Sequence, residues 1–222
     1  MIDTVSTLAM GVAAYLLGAV PFAYIIARAH GKDLRTIGSG NIGATNLARA
    51  VGRPWAYVCF ALDVLKGSVP MLAVRAILGT PNGPLPLAGW LLVGVAAILG
   101  HVFPVYLGFK GGKGVATSLG VALGLWPYFT LCGLIALSVW VGVVLVWRYV
   151  SLASICAAVT FPLALLVGIA VRPDWTFSGL WPLLIAAVVI PLFVILRHRT
   201  NIQRLLAGTE SKIRDKHAGK QL

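Results

Sequence analysis

Apolar residues run along this chain in stretches of about 20, each ended by a short polar segment in which Gly, Ser, Asn, Lys and Arg collect. A helix rising 1.5 Å per residue crosses the ~30 Å hydrocarbon layer of a bilayer in about 20 residues, so the repeating unit reads as a transmembrane helix. The pattern predicts seven helices, at about 5–27, 55–78, 86–108, 114–126, 128–147, 151–171 and 179–196. The fourth is short: Val115 to Trp126 covers only about 18 Å, which suits a short or partly re-entrant helix. The expected fold is all-α, a polytopic integral membrane helical bundle. It forms one transmembrane domain over 1–210, followed by a C-terminal tail over 211–222.

Composition narrows the solvent. Of 222 residues, 59% are apolar and 11% charged, with a mean hydropathy of +0.92, against the roughly 45–50% apolar content of a soluble domain. Cys59, Cys132 and Cys156 lie inside apolar runs with no C-x-x-C pair, so neither a disulfide framework nor a zinc site is indicated. They read as small packing residues. The first run, MIDTVSTLAMG onward, has no Lys or Arg before it and extends to about Ala27, too far for a signal-peptide core. It is expected to remain as the first span.

Charge adds orientation. The formal net charge is +12. Five Lys and Arg residues fall between Arg28 and Arg53, two are Lys110 and Lys113, one is Arg148 and seven follow Leu196, leaving only Lys66, Arg75 and Arg172 elsewhere. With seven spans these four segments share one side, and the positive-inside rule makes it the cytoplasm. The N-terminus is then expected outside and the C-terminus inside an inner (cytoplasmic) membrane. The opposite loops, TPNGPLP and RPDWTFSG, are nearly uncharged, and Trp90, Trp126, Trp147, Trp175 and Trp181 lie near predicted span ends, where indole rings prefer to sit. The basic residues are spread over short loops with no basic domain to hold a duplex, so nucleic acid is not an expected partner. Topology and anionic lipid headgroups account for much of the charge.

The loops carry the candidate chemistry. The first reads HGKDLRTIGSGNIGATNLARAVGR, with Gly38, Gly40 and Gly43 among Ser39, Asn41, Thr45 and Asn46, and with Arg35 and Arg49 flanking them. GSGNIG matches a dinucleotide fingerprint literally, but no buried strand precedes it and Asp63 lies inside the second span, so the required βαβ context is missing. What remains is a backbone that admits an anion closely, with Ser, Asn and N–H donors around it; a plain interhelical loop is the alternative. The second loop, FKGGKGVATSLG, sets Lys110 and Lys113 around Gly111, Gly112 and Gly114 ahead of a helix start. Its spacing fails the P-loop pattern, yet glycines and lysines at a helix N-terminus form an anion site. The third segment, RYVSLAS, holds Ser151 and Ser154. The fourth, RHRTNIQRLLAGTE, holds Arg197, His198, Arg199, Asn201, Arg204 and Glu210. Arginine forks match phosphate oxygens, although arginines after a last span ordinarily serve as topology anchors. Within the spans, Asp63 and Lys66 at i, i+3 share a helix face and are expected to pair. His101 is expected to be buried and hydrogen-bonded. The few carboxylates are scattered, so no metal site is expected.

In order along the chain, GSGNIGATN, DVLKG, GHVFPVYLGFKGGKGVAT, RYVSLAS and RHRTNIQRLLAGTE resemble the bacterial acyl-phosphate:glycerol-3-phosphate acyltransferases, the PlsY family. The resemblance extends to about Glu210. It implies transfer of a fatty acyl group from acyl phosphate to the 1-hydroxyl of glycerol 3-phosphate, releasing lysophosphatidate and phosphate without a cofactor. By motif position it implies Ser39, Arg49, Lys113, Asn201 and Glu210 as catalytic residues. Gly40, Asn41, Thr45, Asn46, Lys110, Gly111, Gly112, Ser154 and His198 would bind phosphate-bearing substrate. An enzyme producing acyl phosphate is the implied protein partner. No histidine here has an aspartate four intervening residues later, as a His-x-x-x-x-Asp base would require. A substrate phosphate oxygen is therefore expected to accept the hydroxyl proton. The competing reading is a transporter or channel for phosphorylated solutes; such proteins place sites near the midplane between symmetric halves, whereas the donors here gather at one face.

Overall fold

A backbone N–H or C=O facing hydrocarbon finds no water, so long apolar runs close their hydrogen bonds internally as helices. The computed structural model of the protein describes residues 4–81 and 83–213. Its helices are α1 (Thr4–Ala19), α2 (Phe22–Ala29), α3 (Ala44–Val51), α4 (Arg53–Leu78), α5 (Pro84–Val102), α6 (Val115–Gly124), α7 (Tyr128–Trp147), α8 (Val150–Val171), α9 (Phe177–Arg197) and α10 (Arg199–Leu206). Of the expected tail, 211–213 is described and the rest lies outside the described residues.

Among the described residues, six helical stretches are long and apolar enough to cross a membrane. The fourth expected span, α6, has 10 residues and covers about 15 Å, half the hydrocarbon depth. The first run is not one helix. It breaks after Ala19, where Pro21 has no N–H to continue the ladder. At the break the Val20 carbonyl accepts the Phe22 N–H at 3.1 Å and the Lys66 ammonium at 3.0 Å, the kind of buried partner that irregular backbone at membrane depth requires. Helices α3 and α10, of 8 residues each, fall inside segments read as loops. They are too short to be stable alone and are held by packing, α3 on α4 and α10 on α8 and α9.

Close backbone crossings pair α1 with α5 and α4 with α6. A Cβ on Gly18 would stand 2.2 Å from the Ala97 carbonyl oxygen and one on Gly100 2.2 Å from that of Tyr15, so both glycines are there for close backbone approach. Between the helices lies a core of Met71, Leu87, Trp90, Leu125, Phe129, Leu165 and Leu183. A smaller core of Ala23, Ala27, Leu34, Ile42, Leu47 and Cys59 anchors the first loop to α2, α3 and α4. The outside stays apolar: Leu145, Val146, Leu163, Val167, Ile185 and Val189 are exposed, a surface suited to lipid tails.

All four basic segments lie at one end. Arg53 donates to the Ile213 carbonyl at 3.4 Å, the Ile213 N–H to the Arg148 carbonyl at 2.9 Å, and Lys113 to Asn201.

Candidate active site

Asn46 organises the first loop from within. Buried in α3, it donates to the carbonyls of Leu34 at 3.1 Å and Ile37 at 2.9 Å, and its Oδ1 accepts the Ser39 N–H at 3.1 Å. Gly38, at φ +56°, passes so close that a Cβ would fall 2.5 Å from that Oδ1. The loop thereby presents Ser39, exposed, with its hydroxyl accepting the Asn41 N–H at 3.5 Å. The Gly40 N–H bonds the Ile37 carbonyl, and Thr45 and Arg49 are exposed on α3. Arg35 is turned away onto Asp33 at 2.8 Å and the Tyr24 ring. That hydrogen bond holds the Asp33 carboxyl well below the usual carboxylate range.

The second loop folds back on the end of α5. The N–H groups of Gly111 and Gly112 donate to the carbonyls of Val102 and His101, each at 3.1 Å, and Arg197 donates to the Gly112 carbonyl at 3.1 Å. Lys110 is exposed on the turn. Lys113, half-buried, points to α10 and donates to Asn201 Oδ1.

From there a polar chain continues. Asn201 Nδ2 donates to Glu210 Oε1 at 2.6 Å, Ser151 donates to the same oxygen at 2.7 Å, and Arg204 Nε donates to Glu210 Oε2 at 2.8 Å. Every acceptor on the carboxylate is engaged by a donor from another part of the chain. His198, at the junction of α9 and α10, pairs Nδ1 with the Val194 carbonyl at 2.8 Å.

These contacts set the charges. Burial pushes the Lys113 ammonium down to about 8; Glu210 opposes the fall, and Arg204, Arg49 and Arg197 add to it. Burial and then the Lys113 cation push His198 down to about 4. Burial raises the Glu210 carboxyl, but hydrogen bonds from Arg204, Ser151 and Asn201 outweigh it and leave it below its ordinary range. At neutral pH the site holds an ammonium, a neutral imidazole and a carboxylate.

A cavity of about 110 Å³ opens next to this network. Leu119, Ala136, Trp140, Ala158 and Phe161 line it, and Val115, Ser118, Ser154 and Val194 bring it to within a helical turn of Lys113, Ser151 and His198. Ser154 donates to the Val150 carbonyl at 2.8 Å and accepts the Trp140 indole N–H at 3.2 Å, so it belongs to the cavity wall rather than to the Lys113–Glu210 chain. Among the described residues, Ser39, Ser151 and Ser154 find their partners in Asn41, Glu210, Val150 and Trp140, and none in a histidine ring. The geometry offers cations and donors for phosphate beside a greasy pocket, without an activated nucleophile.

Arg197, Ser151 and Arg204 join the network although sequence reasoning set the arginines down as anchors. For Arg204 the signal was spacing: Asn201 and Arg204, three residues apart, share a face of α10.

Residues 8–208 match the family model described as glycerol-3-phosphate acyltransferase. A glycerol-3-phosphate acyltransferase of Trichlorobacter lovleyi is 48% identical over 201 residues, covering 90% of this chain and 94% of the relative. One of Aquifex aeolicus is 44% identical over 202 residues, covering 90% and 95%. Among solved structures, the glycerol 3-phosphate form of PlsY (YgiH), an integral membrane glycerol 3-phosphate acyltransferase, superposes with a TM-score of 0.79 at 43% identity, covering 93% of this chain and 95% of that one. Its lysophosphatidic acid form gives 0.77 at 42%.

Proposed function

The chain belongs to the glycerol-3-phosphate acyltransferase family, and on that premise we propose that it transfers a fatty acyl group from acyl phosphate to the 1-hydroxyl of glycerol 3-phosphate. The observation that carries this reading is the meeting of cations with an apolar cavity: Arg49, Arg197 and Arg204 are close enough to act on the charge of Lys113, and the cavity begins at Val115 and Ser118. Two phosphates and one acyl tail call for that combination. The family sets transport aside as the alternative.

The glycerol hydroxyl oxygen attacks the acyl carbonyl carbon, the C–O bond to phosphate breaks, and inorganic phosphate leaves with its electron pair. An acyl phosphate is an activated anhydride, so positioning and stabilisation of the developing negative charge suffice. Ser39, Arg49 and Lys113 grip the phosphates, with Gly40, Asn41 and Thr45 on one rim and Lys110 on the other. Asn201 and Glu210 aim Lys113. Asn46, Gly111 and Gly112 shape the loops, since their polar groups are engaged by backbone carbonyls and by Ser39. His198 fixes the α9–α10 junction, and Ser154 shapes the head of the acyl cavity. Glu210 is held by three donors and His198 Nδ1 by Val194, so the proton passes to a substrate phosphate oxygen. The basic end faces the cytoplasm of a bacterial inner membrane, with the N-terminus outside and the C-terminus inside, and an acyl-phosphate-producing enzyme delivers the donor there.

Purified protein in detergent, given acyl phosphate and labelled glycerol 3-phosphate, should form labelled lysophosphatidate. Product from acyl-CoA or acyl carrier protein but not from acyl phosphate would overturn the donor assignment. No product from any donor would overturn the enzyme reading.

A further inference from the structure

Three buried ionisable side chains lie outside that network, directly beneath the second loop. Lys66 Nζ is 2.8 Å from Asp63 Oδ1, and His101 Nδ1 is 3.6 Å from the same oxygen. Charges at membrane depth are costly unless paired, and they usually serve a purpose. The purpose of Lys66 is visible, since it holds the Val20 carbonyl at the break between α1 and α2.

The far edge of His101 meets Gly112. A Cβ added to Gly112 would fall 2.2 Å from His101 Nε2 and 2.9 Å from Cε1. Gly112 does not have a positive φ, so its backbone conformation would accept alanine; the three atoms nearest to such a Cβ all belong to the imidazole ring. The same residue is clamped at both of its peptide groups, its N–H on the His101 carbonyl and its carbonyl under Arg197. The next residue is Lys113.

We propose that His101, which lies beside Asp63, is a positioning residue whose ring is the seat for Gly112 and thereby fixes where the Lys113 ammonium stands. This rests on Lys113 being a phosphate grip. Gly111 supplies an internal control, because a Cβ there would strike the backbone oxygens of His101 at 2.2 Å and Val102 at 2.5 Å. No change of the His101 side chain can relieve that clash.

The test is kcat and KM for glycerol 3-phosphate, per folded full-length protein in detergent, for Gly112→Ala, His101→Asn, their double variant, Gly111→Ala with and without His101→Asn, and Lys113→Ala. Asparagine keeps an amide where Nδ1 faces Asp63 but ends short of Gly112. A catalytic group displaced by about 1 Å loses about 100-fold in rate, so Gly112→Ala should lower kcat by that order with KM changed little. Adding His101→Asn should recover roughly tenfold or more, since contacting residues are not additive. Gly111→Ala should not recover. Additive losses for His101→Asn with Gly112→Ala, or equal recovery of Gly111→Ala, would overturn the proposal. Where His101→Asn does not fold, His101→Ser carries the same comparison. Near-normal rates for Lys113→Ala would remove the grip reading and this inference with it. An inactive Lys113→Ala without recovery of Gly112→Ala would remove this inference alone.

Discussion

Raising the pH past about 8 should strip the proton from Lys113 and, with it, the charge that the proposed chemistry uses. Burial is the main cause of the fall from an ordinary 10.5, Glu210 works against it, and Arg204, Arg49 and Arg197 add to it. Above that point kcat/KM for glycerol 3-phosphate should drop about tenfold per pH unit, because this ratio reports the free enzyme. Bound phosphate favours the ammonium, so the limb in kcat should lie at higher pH. The substrate cannot produce it, as a phosphate monoester loses its second proton near pH ~6. Folding moves the other way. Between about 8 and 10.5 an unfolded lysine is still protonated while Lys113 in the folded chain is not, and stability rises with pH wherever the unfolded state binds more protons. Activity should therefore vanish from a protein whose unfolding temperature holds or rises. The assay is initial rate over about pH 6 to 10, with thermal unfolding at each pH and with two variants. Lys113→Arg keeps its charge throughout, since arginine titrates above about 12, and should be slower but without the limb. Glu210→Gln removes the group that opposes the fall, and its limb should move to lower pH. A limb retained by Lys113→Arg would refute the assignment.

Glu210→Gln should also destabilise the fold by roughly 1 to 2 kcal/mol in thermal unfolding, one charge-assisted hydrogen bond to Arg204 reduced by that arginine's exposure. The Glu210 carboxyl lies below its ordinary 4.5, so its stabilisation is complete above about that pH and is lost as the pH falls through the lower folded value. The glutamine variant should lack that acid-dependent loss. Ala136→Phe puts a ring into the cavity of about 110 Å³ and should slow transfer from long-chain donors more than from short-chain ones in a competition assay; equal slowing would place the tail elsewhere. His198→Gln should keep turnover within about tenfold with the alkaline limb intact, and abolished turnover with substrate binding and folding unchanged would refute that reading.

The candidate residues were legible because this chemistry leaves a strong mark in such a chain. Lysines, arginines and asparagines interrupting apolar runs are expensive and therefore few, so Lys113, Asn201 and Glu210 stand out without any structure. Their division of labour was not legible. Asn46 and Ser39 sit in one glycine-rich stretch and look equivalent, yet Asn46 is buried with every amide atom bonded inside the loop and Ser39 is exposed on it. Arg197 looked like an anchor because its contact, the Gly112 carbonyl, lies 85 residues away.

Sequence alone determined the solvent, the helical class, the approximate ends of the long spans and the clustering of charge on one side. Those follow from burial and hydrogen bonding that each run of residues must satisfy by itself. Tertiary structure decided the rest: that the first run breaks at Pro21, and that Lys113 meets Asn201 across 88 residues while Ser151 meets Glu210 across 59. Local pattern encodes which face of a helix is apolar. Which side chain stands opposite which depends on how closely two backbones can approach, and that distance is set by glycines such as Gly18, Gly100 and Gly112 lying against particular atoms of another segment.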